Sequence, residues 1–211
     1  MPIDLAAVKN IIFDLGNVLL NLDFNASIQA FRKLGLADEV VDSGQAYSDP
    51  VFYELETGQV SAEGFRKRIR EILNNPEIPD EQIDDAWCAM VLDIPAERVE
   101  VVKKLREKFN VYLFSNTNEI HINRLHAEFK NDHGVDFPSL FVKDFYSHEI
   151  GERKPDLSAY QKVIRLSGVQ PEETLFVDDL ENNIDAAHEA GLKTFWLKKE
   201  MELTEVFNGS L

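Results

Sequence analysis

Apolar residues along the chain gather in short runs that each stop at a polar residue, and the intervals between the runs carry apolar positions three or four apart. Residues 11–14, 111–115, 144–147, 174–178 and 194–197 read as five strands. Most of them fit parallel strands buried on both faces, because they are continuous apolar runs rather than alternating ones. Helices with recognisable ends lie between them. Pro155 and Asp156 open one that Gly168 closes, Gly191 closes another over 181–190, and Pro95 opens a third that precedes the second strand. Strands alternating with helices predict an α/β fold with a doubly wound, Rossmann-like parallel sheet.

The interval 24–92 breaks this alternation, since it spends roughly 70 residues where a strand-to-helix connection takes only a few. It reads as helical throughout. Apolar residues share one face in Ile28, Phe31 and Leu34, in Phe65, Ile69, Ile72 and Leu73, and in Ile83, Trp87, Met90 and Val91. Ser61 and Asp80 stand where N-caps belong, and Gly58 with the Pro76/Pro79 pair supplies the breaks. The expected organisation is an α/β core domain of residues 1–23 and 93–211 carrying an inserted helical-bundle cap domain, 24–92.

Charge and cysteine content narrow the partners. The 211 residues include 38 acidic and 22 basic ones, for a net charge of -16. Such a field repels phosphate backbones and anionic lipid, so neither nucleic acid nor membrane is an expected partner. No apolar run approaches the roughly 20 residues that span a bilayer, and the first ten residues lack the basic and hydrophobic regions of a leader. One cysteine, Cys88, cannot form an internal disulfide framework. A cytoplasmic protein is expected, as a monomer or homodimer. The triplets Asn25-Ala26-Ser27 and Asn208-Gly209-Ser210 match the glycosylation pattern and are read as chance matches.

Ligands of open α/β sheets bind beyond the carboxyl ends of the strands. Those ends are polar here: Asp14-Leu15-Gly16-Asn17, Ser115-Asn116-Thr117-Asn118 and Asp178-Asp179, with Gly151-Glu152-Arg153-Lys154-Pro155 before a helix start. Asp14, Asp178 and Asp179 gathered in one crevice would repel one another unless a cation sat among them, and an all-oxygen site suits Mg²⁺. Asp14 could then attack phosphorus while the cation and Lys154 neutralise the phosphoryl oxygens and the Ser115 hydroxyl holds another.

These four segments, in this order, resemble the four motifs of the haloacid dehalogenase superfamily of hydrolases, over essentially the whole chain, with the insertion where that family carries a helical cap. The resemblance implies Asp14 as a nucleophile that becomes an aspartyl-phosphate and also binds Mg²⁺, and Gly16 as a carbonyl ligand of the metal. It implies Ser115 and Asn116 as binders of the transferring phosphoryl group, Lys154 as the link between nucleophile and phosphate, and Asp179 as a direct metal ligand. Asp178 and Asn183 would act through metal-bound water or support the loop. The implied partner is a small phosphorylated metabolite.

One departure stands out. Phosphatases of the family usually place a second aspartate two residues after the nucleophile, where this chain has Gly16, and such an acid/base group often contributes ~10²–10⁴-fold. The variant motifs, with Asp23-Phe24-Asn25 and His121, are similar to a bacterial subgroup that includes an α-D-glucose-1-phosphate phosphatase. An anomeric oxygen leaves more readily than an ordinary alkoxide, so anomeric phosphates are expected to outrun matching 6-phosphates. A cap side chain, His121 or a water chain could activate the hydrolytic water in place of the missing acid. Two alternatives stay open: a metal-independent 2-haloacid dehalogenase using the same nucleophile, and a non-catalytic phosphate-binding protein on the same scaffold. Phosphonate cleavage would need a desolvated lysine, which neither Lys33 nor Lys67 resembles. Cys88 reads as core, His121 and His126 lie too far apart around a helix to share a metal, and Glu54 and Glu56 read as solvated in preference to facing the crevice.

Overall fold

The computed structural model describes residues 5–208. Residues 1–4 of the stretch searched for a leader, and Gly209 and Ser210 of the second glycosylation-type triplet, lie outside the described residues.

Five strands form one parallel sheet: β1 (Asn10–Phe13), β2 (Asn110–Ser115), β3 (Lys143–Tyr146), β4 (Thr174–Asp178) and β5 (Lys193–Trp196). Each lies within one residue of its expected position. Their spatial order is β3-β2-β1-β4-β5. The chain thus builds outward from β1 on one side and crosses back to build on the other, which puts the topological switch point between β1 and β4. Phe13 pairs with Val177 and with Leu113, so the central strands end level with one another.

Strand alternation divides the core between the two faces of the sheet. Ile11, Phe13, Val111 and Leu113 face one apolar cluster, while Ile12, Phe114 and Phe176 face the other. On the first side pack α6 (Ala96–Arg106), α7 (Glu119–His133) and α11 (Leu203–Phe207), and on the second α9 (Leu157–Ser167) and α10 (Glu181–Glu189). Every residue of β1 and β4 is buried, whereas the edge strand β5 is only partly covered. A four-residue helix, α8 (Ser147–Ile150), follows β3, and Gly168 closes α9 at φ 72°.

The insertion folds as α1 (Phe24–Lys33), α2 (Asp38–Asp42), α3 (Pro50–Glu56), α4 (Ala62–Ile72) and α5 (Asp80–Cys88). Its own apolar cluster contains Phe31, Phe65, Ile69, Leu73, Ile83, Trp87 and Met90, as the spacing predicts, with Leu34, Ile72 and Val91 packed against it. Ile28 is only half-buried. Asp23 caps α1 by accepting from the Asn25 and Ala26 amides, and Ser61 caps α4 by accepting from Gly64.

Asp80 is not the cap expected of it. Pro79 holds that position without a side-chain bond, and Asp80 becomes the first residue of α5. Two arginines of the preceding helix claim its carboxylate: Arg70 by a short contact, and Arg66 at 3.8 Å.

Candidate active site

The carboxyl ends of β1, β2 and β4 open onto one crevice. The Asp14 amide donates to the Val177 carbonyl at 2.9 Å, which continues the sheet ladder one step and sets Asp14 beside Asp178, the last residue of β4. Lys154 enters from the loop between α8 and α9. Its Nζ lies 2.6 Å from Asp14 Oδ1 and 2.7 Å from Asp178 Oδ2, and only 1% of the residue is exposed. An ammonium this deep is tenable because anionic partners compensate its lost hydration. The Phe114 and Phe176 rings, 5.3 and 5.4 Å from Nζ, wall it in.

The side chain of Asn116 holds the Lys154 backbone from both sides, donating to its carbonyl at 2.8 Å and accepting from its amide at 2.9 Å. Asn183 donates to both oxygens of Asp178, at 3.0 and 3.1 Å, and the Leu180 amide donates to Oδ1 at 2.9 Å. Asp178 is therefore surrounded by donors and anchors Lys154. Asp179 is more open: its Oδ2 accepts from Asn17 at 3.1 Å, and its carbonyl accepts from the Trp196 indole at 2.9 Å. Asn17 reaches it from a left-handed conformation, φ 53°, that asparagine tolerates.

One oxygen each from Asp14, Asp178 and Asp179 lies within 4.8 Å of the others. Burial, then the charges of Asp178 and Asp179, push the Asp14 carboxyl up to about 7 against the pull of Lys154. Burial likewise raises Asp179. For Lys154, burial disfavours the charge, yet Asp14 and Asp178 outweigh it and hold the ammonium above its ordinary value. One ammonium against three carboxylates leaves the cluster short of positive charge. An all-oxygen donor set of this size and charge fits a hard divalent cation such as Mg²⁺.

Ser115 is buried, and its hydroxyl makes only a 3.4 Å contact with the Asn116 carbonyl, so its hydrogen-bonding capacity is largely unspent. Gly16 sits under Leu22: a Cβ there would stand 2.6 Å from Leu22 Cδ1. That atom is the end of a flexible side chain that can turn aside, so packing alone does not explain why glycine stands here.

Between the crevice and the inserted helices lies a cavity of about 460 Å³, with Asp14, Ser115 and Lys154 on one side and Tyr47, Phe52 and Trp87 on the other. Of the expected site residues, all but Asp178 line it; Asp178 is held against Lys154 instead.

The insertion also contributes Glu56, which was expected to be solvated. Its carboxylate lies 2.7 Å from Arg153 Nη1 on the cavity wall, with 23% of the side chain exposed. The signal was there only in part, because the charge that pairs it stands far along the chain beside Lys154.

His121, a candidate for the missing acid, is committed elsewhere. Asn118 Nδ2 donates to its Nδ1 at 3.2 Å, which makes Nε2 the protonated nitrogen that donates to the Trp87 carbonyl at 3.1 Å. Burial pushes its value down to about 4. His126 instead faces Tyr146, 3.1 Å away. Cys88 is buried and burial pushes its thiol up to about 12, so it is inert, as expected. Lys33 and Lys67 are exposed.

A model of haloacid dehalogenase-like hydrolases matches residues 8–191. The chain belongs to that family. Among curated relatives, a D-ribitol-5-phosphate phosphatase of Bacteroides thetaiotaomicron is 33% identical over 205 residues, covering 95% of this chain and 99% of its own. A haloacid dehalogenase-family enzyme of the same organism, solved in complex with magnesium and inorganic phosphate, matches with a TM-score of 0.87. Its identity is 34%, over 95% of this chain and 99% of that one. A haloacid dehalogenase-like hydrolase of Porphyromonas gingivalis matches with the same TM-score at 30% identity, over 97% of this chain and 98% of its own. As in any member of the hydrolase family, the fold alone does not choose the electrophile.

Proposed function

We propose that this family member is a Mg²⁺-dependent phosphatase of a small phosphomonoester, a sugar or polyol phosphate, acting through an aspartyl-phosphate on Asp14. The observation that carries the reading is the buried ammonium of Lys154 bridging Asp14 and Asp178 beside the carboxylate of Asp179. The relative's activity on ribitol 5-phosphate and the magnesium and phosphate bound by a similar enzyme support the same assignment.

In this reading Asp14, Asp179 and the Gly16 carbonyl hold the metal, which when bound supplies positive charge to the phosphoryl oxygens and keeps Asp14 ionised. Lys154 orients Asp14 Oδ1 and pairs with one phosphoryl oxygen, while Ser115 and Asn116 hold another. Asp14 attacks phosphorus, the bond to the leaving oxygen breaks, and that oxygen takes a proton from water. A second water then attacks phosphorus and gives a proton to the hydroxide so formed, the bond from phosphorus to the Asp14 oxygen breaks, and phosphate and the free carboxylate result. Asp178 and Asn183 position Lys154 and the loop. Residues 24–92 act as a cap that excludes bulk water around the reacting group.

A dehalogenase would use the same nucleophile, but a metal-free carboxylate gains nothing from two further carboxylates within 4.8 Å. The test is inorganic phosphate release from glucose 1-phosphate, glucose 6-phosphate and D-ribitol 5-phosphate, with and without Mg²⁺. Turnover that needs Mg²⁺ and disappears in Asp14→Asn is expected. Faster release from the 1-phosphate than the 6-phosphate would tie the glycine at position 16 to anomeric leaving groups, and equal rates would refute that link. Chloride release from 2-chloropropionate, insensitive to chelators and without phosphate release from any ester, would overturn the assignment.

A further inference from the structure

The wall of the cavity facing Asp14 is mostly aromatic and aliphatic, through Phe52, Trp87, Met90 and Val91. Ser48, Asp49 and His121 add polar groups to the lining, with Asp49 already paired to Arg68, and so does one ion pair that joins the inserted helices to the loop before α9. Glu56, at the end of α3, meets Arg153, the neighbour of Lys154, at 2.7 Å, and both line the cavity. Arg153 also lies over the Tyr53 ring, 5.5 Å from its centre. Among the described residues neither side chain has a further polar partner. The carboxylate therefore keeps most of its acceptor sites and the guanidinium most of its five N–H donors. With 23% and 30% of the side chains exposed, these sites remain accessible.

An ion pair is neutral as a unit, so it attracts neither a second phosphate nor a cation strongly. Its donors and acceptors lie side by side, the arrangement that suits hydroxyl groups, which donate and accept at the same oxygen. Apolar surface lines the same cavity: Phe24, Tyr53 and Leu180 are 54%, 48% and 51% exposed, large values for such residues, and Tyr53 lies against Arg153. They offer faces to the C–H side of a carbon chain or ring. Trp87 lines the same cavity through its ring, while its indole nitrogen is buried without an acceptor among the described residues.

We propose that Glu56 and Arg153 bind hydroxyl groups of the leaving portion of the substrate, so that the enzyme selects phosphate esters of polyhydroxylated carbon chains or rings. This rests on the phosphatase reading. It makes the pair a specificity element as well as a link between the inserted helices and the sheet.

The test compares kcat/KM for D-ribitol 5-phosphate and n-pentyl phosphate, which match in carbon number and differ in hydroxyls, with p-nitrophenyl phosphate as a third substrate that bears no hydroxyls. The wild-type protein is expected to prefer the ribitol ester by about tenfold or more. Glu56→Gln is expected to collapse that ratio toward one, chiefly through KM. Arg153→Lys, which keeps the charge but loses the planar fork, is expected to move the ratio the same way and serves if the first variant does not fold. Two results would overturn the proposal while the phosphatase reading stands on Asp14-dependent hydrolysis of p-nitrophenyl phosphate. One is no wild-type preference for the ribitol ester; the other is an equal loss on all three esters in both variants, the mark of a purely structural link. Failure to hydrolyse any of the three would instead contradict the phosphatase reading itself, and this proposal with it.

Discussion

Asp14 carries two burdens that conflict without a cation. In the proposed reaction it must be ionised to attack phosphorus and to bind a metal, yet burial and the Asp178 and Asp179 charges push its carboxyl up to about 7. Because its folded value lies above the unfolded one of 3.8, the folded protein holds a proton that the unfolded chain releases over roughly pH 4–7. The Asp14 contribution to metal-free stability is thus greatest at low pH and declines as pH rises through that window. Metal binding displaces the same proton. Mg²⁺ affinity is expected to rise about tenfold per pH unit below 7 and level off above it, with close to one proton released per ion at pH 6. Calorimetry in buffers of different ionisation enthalpy reads that number, and pH-independent affinity from 5.5 to 8 would contradict it. At this scale the sequence located Asp14, Ser115 and Asp178 at the carboxyl ends of strands, where the structure has them. Glu56 was not legible, since an isolated helix carboxylate is solvated more often than not and nothing local marks Arg153 as its partner.

His121 shows how elements, rather than single residues, assemble the cavity. It lies in the first turn of α7, where Asn118 caps the helix by accepting from its amide at 3.1 Å. Its ring stacks on Trp87 with centres 4.5 Å apart, and its Nε2 reaches the Trp87 carbonyl in α5. One side chain thus ties the last inserted helix to the first helix after β2. Burial holds its value near 4, below the ordinary 6.5, so the fold favours the neutral ring. Its contribution to stability is fully present above pH 6.5 and is lost as pH falls toward 4, on the order of 3 kcal/mol in total. NMR of the ring should show no titration of His121 above pH 5, and a midpoint near 6.5 would contradict the arrangement. The strands were legible because parallel, doubly covered strands leave short uninterrupted apolar runs. The short helices α8 and α11 were not predicted, and α2 only as part of a stretch read as helical throughout, since elements of four or five residues carry too little periodicity to register. Asp80 misled for a related reason: a cap residue is recognised by local sequence, and its carboxylate was claimed by arginines of another helix.

For the whole molecule, the run of helices between β1 and β2 was legible from its length and spacing, but not how it meets the sheet. The structure joins the two by specific contacts. Leu22 bridges to Val91 where the chain enters and leaves the insertion. Gly58, at φ 68°, lies so close to α8 that a Cβ would stand 2.2 Å from the His148 carbonyl oxygen, so only glycine fits there. Together with Glu56–Arg153 and His121–Trp87, these contacts enclose a cavity suited to a small molecule, inside a protein whose net charge of -16 disfavours large polyanions. Among the described residues no helix is long and apolar enough to cross a membrane.

The central claim is that phosphate passes through Asp14. Acid-quenching the enzyme during turnover of D-ribitol 5-phosphate or glucose 1-phosphate with Mg²⁺, followed by peptide mass spectrometry, tests it most directly. A phosphoryl group on the peptide carrying Asp14, absent in Asp14→Asn and absent without Mg²⁺, is the expected result. Phosphate release with no such adduct at any quench time, and with a residual rate in Asp14→Asn close to wild type, would contradict the account.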